Sequence, residues 1–294
     1  MLIPIGQTLI TGVLLGGLYA VFALGMSLSW ALLRVINYAI FAFVFLAAYL
    51  TYDLATSHGM DPLLSVLVTI PASVLLSCLL QAFTTATKID TFGSLIVTFG
   101  IFLVIQSAIT LIWKNDLVRI PLEQNPYFER AWHAGPFTVP FLGVFSLGCA
   151  VVLCLVSYWL LHVSFAGKAM RAAVQDPDMA AAFGINAVRL GYVVAVICGV
   201  SIAVAGSSIG MLFVLTPSAA QTWVAVVFAT VLLGGLGNPR GLLASAMILA
   251  LAASATQRFA DPALANLAPL VLLVVVILFR PQGLFRPAVE TSKR

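Results

Sequence analysis

Long apolar runs, separated by short polar or helix-breaking stretches, organise this chain from end to end. The runs cover residues 6–33, 35–52, 63–85, 92–113, 139–161, 192–215, 223–236, 241–256 and 263–279. Most approach the roughly twenty residues that a helix needs to cross a bilayer core about 30 Å thick. Backbone amides in hydrocarbon pair either within their own segment or around a closed barrel. Barrel strands are about ten residues long and alternate in polarity. These runs are longer and continuously apolar, so helices are expected. The fold class that follows is all-α, a polytopic helical membrane protein with about 8–10 transmembrane helices. Residues 1–294 read as one integral-membrane domain.

Two of the runs, 223–236 and 241–256, are short. They flank the turn GGLGNPRG (234–241), where four glycines and Pro239 break any helix. They read either as two full crossings or as a pair of half-crossings. Both alternatives return the chain to the same side.

One long polar stretch interrupts the pattern, HVSFAGKAMRAAVQDPDMAAAFGINAVRLG at 162–191. It holds Lys168, Arg171, Asp176, Asp178 and Arg189, in a chain of which only 8% is charged. Asp176 suits an N-cap and Pro177 the first helical position, and Asp178 favours the positive end of the helix dipole. Residues 179–183 then support a helix of roughly two turns, which Gly184 closes in the left-handed conformation. Met179 and Phe183 fall at i, i+4 on that helix. They fit either a pocket on a partner protein or an amphipathic helix on lipid headgroups, with the basic residues near anionic lipid.

Composition strengthens the membrane reading. The chain is 62% hydrophobic with a mean hydropathy of +1.11, against about 45–50% apolar and about 25% charged in soluble domains. The start MLIPIGQTL has no basic region or cleavage site and reads as a mature terminus rather than a signal peptide. The formal charge of +4 is too scattered for a nucleic-acid surface. Cys78, Cys149, Cys154 and Cys198 lie in apolar runs as free thiols, and His58, His133 and His162 form no metal cluster. Neither a catalytic nor a metal site is expected.

The sign of the loops sets an orientation. Alternate loops place Arg34, Lys88, Lys168, Arg171, Arg189, Arg240, Arg280, Arg286, Lys293 and Arg294 on one side, and only Lys114, Arg119, Arg130 and Arg258 on the other. The first side is therefore expected to be cytoplasmic, with the amino terminus outside and the carboxyl terminus inside. The longest outer loop, 114–138, carries Asp116, Glu123, Glu129, three prolines and Tyr127, Phe128 and Trp132. It is either a solvated connector or a landing surface for an external protein.

Polar groups within the spans are candidates for a solute pathway. These are Asn37, Thr98, Gln106 and Ser207, with Ser107, Ser201 and Ser208 beside them. The competing role for each is a hydrogen bond between neighbouring helices. Gly12/Gly16 and Gly206/Gly210 are GxxxG pairs suited to close helix packing. No acid lies deep in a span, Asp53 being at an end, which argues against an ion-coupled carrier or an intramembrane enzyme.

The segment GKAMRAAVQDPDMAAAFGIN (167–186) resembles the cytoplasmic coupling loop of branched-chain amino acid ABC transporter permeases. Three other stretches agree in order and spacing: GVLLGGLYAVFALGMSLSW followed by RVINYA, then VLLGGLGNPRG, then FRPQGLF. RVINYA points to the H-type subunit over its M-type paralogue. The resemblance implies a pore-forming inner-membrane subunit working by alternating access on branched-chain or related amino acids. Its implied partners are a homologous M-type permease, two cytoplasmic ATPases and a periplasmic substrate-binding protein. Residues Gly167, Arg171, Asp176, Pro177, Asp178, Met179, Phe183, Gly184, Ile185 and Asn186 are thereby assigned to ATPase coupling. ATP and Mg are expected on the partners and no cofactor on this chain. Its one Gly-Lys pair, Gly167-Lys168, precedes Ala169, and His162 stands where a phosphate loop has its first glycine. Related permeases on this scaffold carry urea, short amides or small aromatic acids, which keeps the solute open. One departure stands out. Relatives commonly continue the RVIN motif as N-F-A-H-G-E, whereas this chain has Asn37-Tyr38-Ala39-Ile40-Phe41-Ala42.

Overall fold

Each of the nine apolar runs folds into its own helix, and two further helices occupy the polar stretch. The computed structural model describes residues 2–87, 89–114, 116–261, 264–265, 267–280 and 283–285. The elements are α1 (Leu2–Leu33), α2 (Ala39–Thr56), α3 (Ser65–Thr87), α4 (Thr91–Trp113), β1 (Ala131–Ala134), β2 (Phe137–Pro140), α5 (Phe141–His162), α6 (Phe165–Gln175), α7 (Pro177–Ala182), α8 (Ala187–Leu212), α9 (Ala220–Gly234), α10 (Pro239–Phe259) and α11 (Ala268–Phe279). The strands form one antiparallel hairpin in the longest loop.

Among the described residues, seven helices are long and apolar enough to cross a membrane. The short pair expected at 223–256 comes out unequal. Run 241–256 lengthens into α10, 21 residues capped by Asn238 with Pro239 in its first turn. Helix α9 has 15 residues and α11 has 12, or about 22 and 18 Å at 1.5 Å per residue. Before α9 the chain is extended and then turns through Pro217–Ala219, with Leu215 and Pro217 buried. This stretch is satisfied by the protein itself. Leu215 and Val118 exchange backbone hydrogen bonds of 2.8 and 3.1 Å, and Gln106 Nε2 donates to Pro217 O.

The run at 35–52 also differs, because α2 starts only at Ala39. Arg34 ends α1 at φ +55°, a conformation that side chains with a Cβ rarely adopt. Hydroxyls of α4 then hold the linker. Ser94 Oγ accepts from Ile36 N–H at 3.1 Å, Thr98 Oγ1 accepts from Tyr38 N–H at 3.0 Å, and Thr98 Oγ1 also lies 3.0 Å from Ile36 O.

Close glycine contacts fix how the helices run. Gly12 faces Leu251 and Gly16 faces Met247, so α1 and α10 are antiparallel. Gly206 faces Val44 and Ala47, and Gly210 faces Ala48, so α2 and α8 are parallel. Both GxxxG pairs therefore sit at helix crossings, where a Cβ would collide with the neighbouring backbone. Every such pairing agrees with helices that cross alternately. At one end of the bundle lie residues 34–38, the segment 163–186, the turn 235–238 and residues 283–285. At the other lie the start of α1, the β-hairpin and residues 213–219. The first end carries Arg34, Lys168, Arg171, Arg189, Arg240 and Arg280, and the second Lys114, Arg119, Arg130 and Arg258. Lys88, Arg286, Lys293 and Arg294 lie outside the described residues.

Helices α1, α2 and α8 form the centre. A buried hydroxyl cluster ties α2, α3 and α8 together, with Thr51 Oγ1 donating to Ser207 Oγ at 3.0 Å and Thr69 Oγ1 at 3.0 Å on its other side.

Candidate functional site

The polar segment folds into a projecting element with defined ends. Ser164 caps α6 by accepting from Gly167 N–H at 3.1 Å. Gly167 is buried against α5, and a Cβ there would strike the backbone oxygens of Leu160 and Leu161. Only glycine lets α6 fold back this tightly. The buried face of α6 is Gly167, Ala169, Met170 and Val174, while Lys168 is exposed and Arg171 half-buried.

Asp176 then ends α6 and begins α7, its carboxylate accepting from Met179 N–H at 3.1 Å. Pro177 occupies the first turn of α7. Gly184, at φ +77°, closes it. Gly184 N–H donates to Ala181 O at 2.9 Å and Ile185 N–H to Ala180 O at 3.0 Å, the paired bonds of a Schellman ending. The helix is six residues long, with Asp178 exposed beside it. Met179 and Phe183 stand 57% and 80% exposed. Ile185 is half-buried, and Asn186 caps α8 by accepting from Arg189 N–H at 3.1 Å.

The sequence motifs, far apart along the chain, gather around this segment. Ser27 Oγ accepts from Gly237 N–H at 3.0 Å, joining α1 to the glycine turn. Leu284 N–H donates to Leu233 O at 3.0 Å, so the FRPQGLF stretch folds over the same turn. Its Pro281 and Gln282 lie outside the described residues. The guanidinium of Arg240 sits 3.6 Å above the Tyr158 ring, which stacks on His162 at 4.3 Å. Arg34 Nη2 donates to Val174 O at 2.7 Å.

The four pathway candidates are not brought into one cavity. Ser207 is the centre of the hydroxyl cluster, Thr98 holds the α1–α2 linker, and Gln106 holds Pro217. Asn37 lines a small cavity of about 20 Å³ with Ser29, Ser77, Gln81 and Thr84. Its Oδ1 and the Ser77 Oγ are buried without a hydrogen-bond partner. Ile40, Phe41 and Ala42 are all buried. Phe41 packs between Phe22 and Phe228, at 5.4 and 6.2 Å between ring centres.

The larger clefts lie at the opposite end, between α1, α9 and α10. One of about 420 Å³ is lined by Tyr19, Phe213, Trp223 and Val226, with Thr222 and Gln257 adding polar groups. A second, of about 380 Å³, is lined by Gln7, Thr8, Thr11, Ser254, Gln257 and Arg258. The sequence reading missed these residues. Their signal was helical spacing: Gln7 and Thr11 at i, i+4, and Ser254 and Gln257 at i, i+3, each pair on one helix face.

Nearby, the loop carrying the hairpin is braced by the protein. Tyr127 O–H donates to Asp61 Oδ2 at 2.7 Å, Asn125 Nδ2 donates to Met211 O at 3.0 Å, and Arg119 lies 4.0 Å over the Phe128 ring. The bond to Asp61 raises the Tyr127 pKa above its ordinary value, with burial adding to the rise. Among the described residues no group of His, Cys, Asp and Glu is arranged to hold a metal.

Long apolar helices packed through glycine, with paired short helices projecting at one end, define a multi-pass helical membrane protein. The chain belongs to the family described as branched-chain amino acid transport system / permease component, which matches residues 8–279. It is 24% identical to the high-affinity branched-chain amino acid transport system permease protein LivH of Escherichia coli K12, across 97% of this chain and 96% of that protein. It is 26% identical to the corresponding permease protein BraD of Pseudomonas aeruginosa, across 97% of each. No solved structure matches the chain.

Proposed function

We propose that this chain is the transmembrane permease subunit of an ATP-driven importer for branched-chain or related amino acids. The observation that carries the reading is the element at 163–186, a capped and glycine-closed pair of short helices presenting Met179 and Phe183 to solvent. Exposed large apolar side chains on a rigid projection fit a cleft on a partner. Burying each one contributes about 1.5–3 kcal/mol. The segment sits at the end bearing more of the described basic residues, which the positive-inside rule makes cytoplasmic. The amino terminus then lies in the periplasm, in a bacterial inner membrane.

Energy comes from two ATPases bound beneath the paired permeases, this chain and its M-type homologue. ATP-driven closure of the ATPases draws the coupling segments together, and the bundles alternate between outward and inward openings. ATP and Mg belong to those partners. A periplasmic binding protein lands on the outer loops and delivers the solute. The outer clefts are its route into the bundle: Gln7, Thr222 and Gln257 supply hydrogen bonds to the amino and carboxylate groups, and Tyr19, Trp223 and Val226 receive an apolar side chain.

Phe183→Asp tests the reading while leaving Asp176, Gly184 and the membrane core unaltered. In cells expressing the complete set of subunits, ATPase association should weaken about thirtyfold or more, with membrane insertion unchanged. Normal co-purification of the ATPases with Phe183→Asp overturns the coupling assignment.

A further inference from the structure

The RVIN stretch lies where the coupling segment meets the membrane helices, and its arginine holds an unusual position. Arg34 ends α1 in the left-handed region at φ +55°, the place where helices commonly use glycine. Its guanidinium donates to Val174 O at 2.7 Å, in the last turn of α6. A cation there meets the negative end of the helix dipole and an unpaired terminal carbonyl. Among the described residues, no other hydrogen bond joins α6 or α7 to an element that is not their chain neighbour. The tie crosses a partly open cleft of about 230 Å³ between the ends of α1, α6 and the start of α8.

What lies behind Arg34 makes the tie mechanical. The next residues, Val35 to Tyr38, are held on α4 by Ser94 and Thr98, and α2 begins at Ala39. A pull on the end of α6 therefore has a hydrogen-bonded route to the α1–α2 linker and α4 through Arg34, beside the apolar packing of Met170 and Val174. Arg34 is also held at positive φ by its chain neighbours, Val35 N–H donating to Ser29 O at 3.4 Å and Ile36 N–H to Ser94 Oγ at 3.1 Å, so the residue that makes the tie is anchored on both of its sides.

We infer that Arg34 is the positioning residue that carries displacement of the coupling segment into the α1–α2 linker and α4. The inference rests on the importer reading above. It adds the route by which work done on α7 enters the bundle.

The test uses the complete transporter in proteoliposomes: this chain, its partner permease, both ATPases and the binding protein, with leucine, valine and isoleucine as probes. The variant Arg34→Gly keeps the positive φ available but removes the tie. ATPase association and hydrolysis should persist, while solute moved per ATP falls about tenfold, the scale of one hydrogen bond to a charged group. Arg34→Lys, whose ammonium still reaches a carbonyl, should recover much of that ratio. Wild-type solute per ATP in Arg34→Gly overturns the inference. So does failure of Arg34→Gly to assemble with the ATPases, because Arg34 would then serve the fold and not the motion. If the unaltered chain retains no ATPase, or moves none of the three amino acids, the importer reading itself has failed, irrespective of Arg34.

Discussion

Helices α8 and α4 are both long and strongly apolar, yet they occupy opposite environments. In its most apolar window α8 is 78% buried inside the protein, and α4 only 17%. Hydropathy does not separate them, and small residues do. Along α8, glycine, alanine and serine recur (Gly199, Ala203, Gly206, Ser207, Gly210) and let α2 and α3 approach backbone to backbone. Along α4, Phe92, Ile96, Phe99, Leu103, Val104 and Leu111 point outward. Lipid is as apolar as leucine, so burying leucine against another helix yields little net free energy. Close packing and interhelical hydrogen bonds decide which helices go inside.

The sharpest way to break this comparison is to put the same side chain at a glycine of each helix. Gly206→Leu would drive its Cβ into Val44 O and to 2.6 Å from Ala47 Cβ, whereas a Cβ at Gly100 has nothing within 4 Å. We expect Gly206→Leu to cost about 3 kcal/mol or more and to lose most of the folded protein. Gly100→Leu should leave the thermal midpoint of the detergent-solubilised chain unchanged. Equal midpoints for the two variants would mean that glycine packing does not set the inner position of α8.

A smaller effect isolates the polar contribution. Ser207→Ala removes the shared partner of Thr51 and Thr69. Interhelical bonds of this kind average about 0.6 kcal/mol each, so a loss of about 1 kcal/mol is expected in chemical denaturation. Ser107→Ala, on the exposed side of α4, should cost nothing measurable. If uptake falls in Ser207→Ala while stability is unchanged, Ser207 belongs to the solute pathway and the clamp interpretation is wrong.

The smallest effect lies in the loops between helices, where Tyr127 bonds Asp61 across two of them. Because the folded Tyr127 pKa is raised, the bond contributes its full stability below the ordinary tyrosine value near 10. That contribution fades as pH rises through the folded value, since the unfolded chain releases its proton first. Ultraviolet difference titration should show one tyrosine shifting to lower pH in Asp61→Ala. An unchanged titration would mean that the bond does not form in solution.

Much was legible in sequence because it is local chemistry. Asp176, Pro177 and Gly184 announced α7 and its closure, since caps and left-handed glycines depend on neighbours a few residues away. That each apolar run forms a helix followed from its length and continuity. The start of α2 was not legible: Val35 and Ile36 are as apolar as the helix they precede, and hydroxyls of Ser94 and Thr98 on the distant α4 take up the backbone groups of Ile36 and Tyr38. The clefts between α1, α9 and α10 were hidden for the same reason. Gln7 and Gln257 are 250 positions apart, and no periodicity on α1 announces what α10 brings to it.

By itself, then, the sequence determined the all-helical membrane architecture, the short capped helix at 177–182 and membership of a permease family, because backbone satisfaction in lipid and helix capping act within a segment. Only the tertiary structure decided which equally apolar helices lie inside. It also brought Arg34 to Val174 and set Phe41 within an aromatic core, because packing geometry and long-range hydrogen bonds depend on residues that are neighbours only after folding.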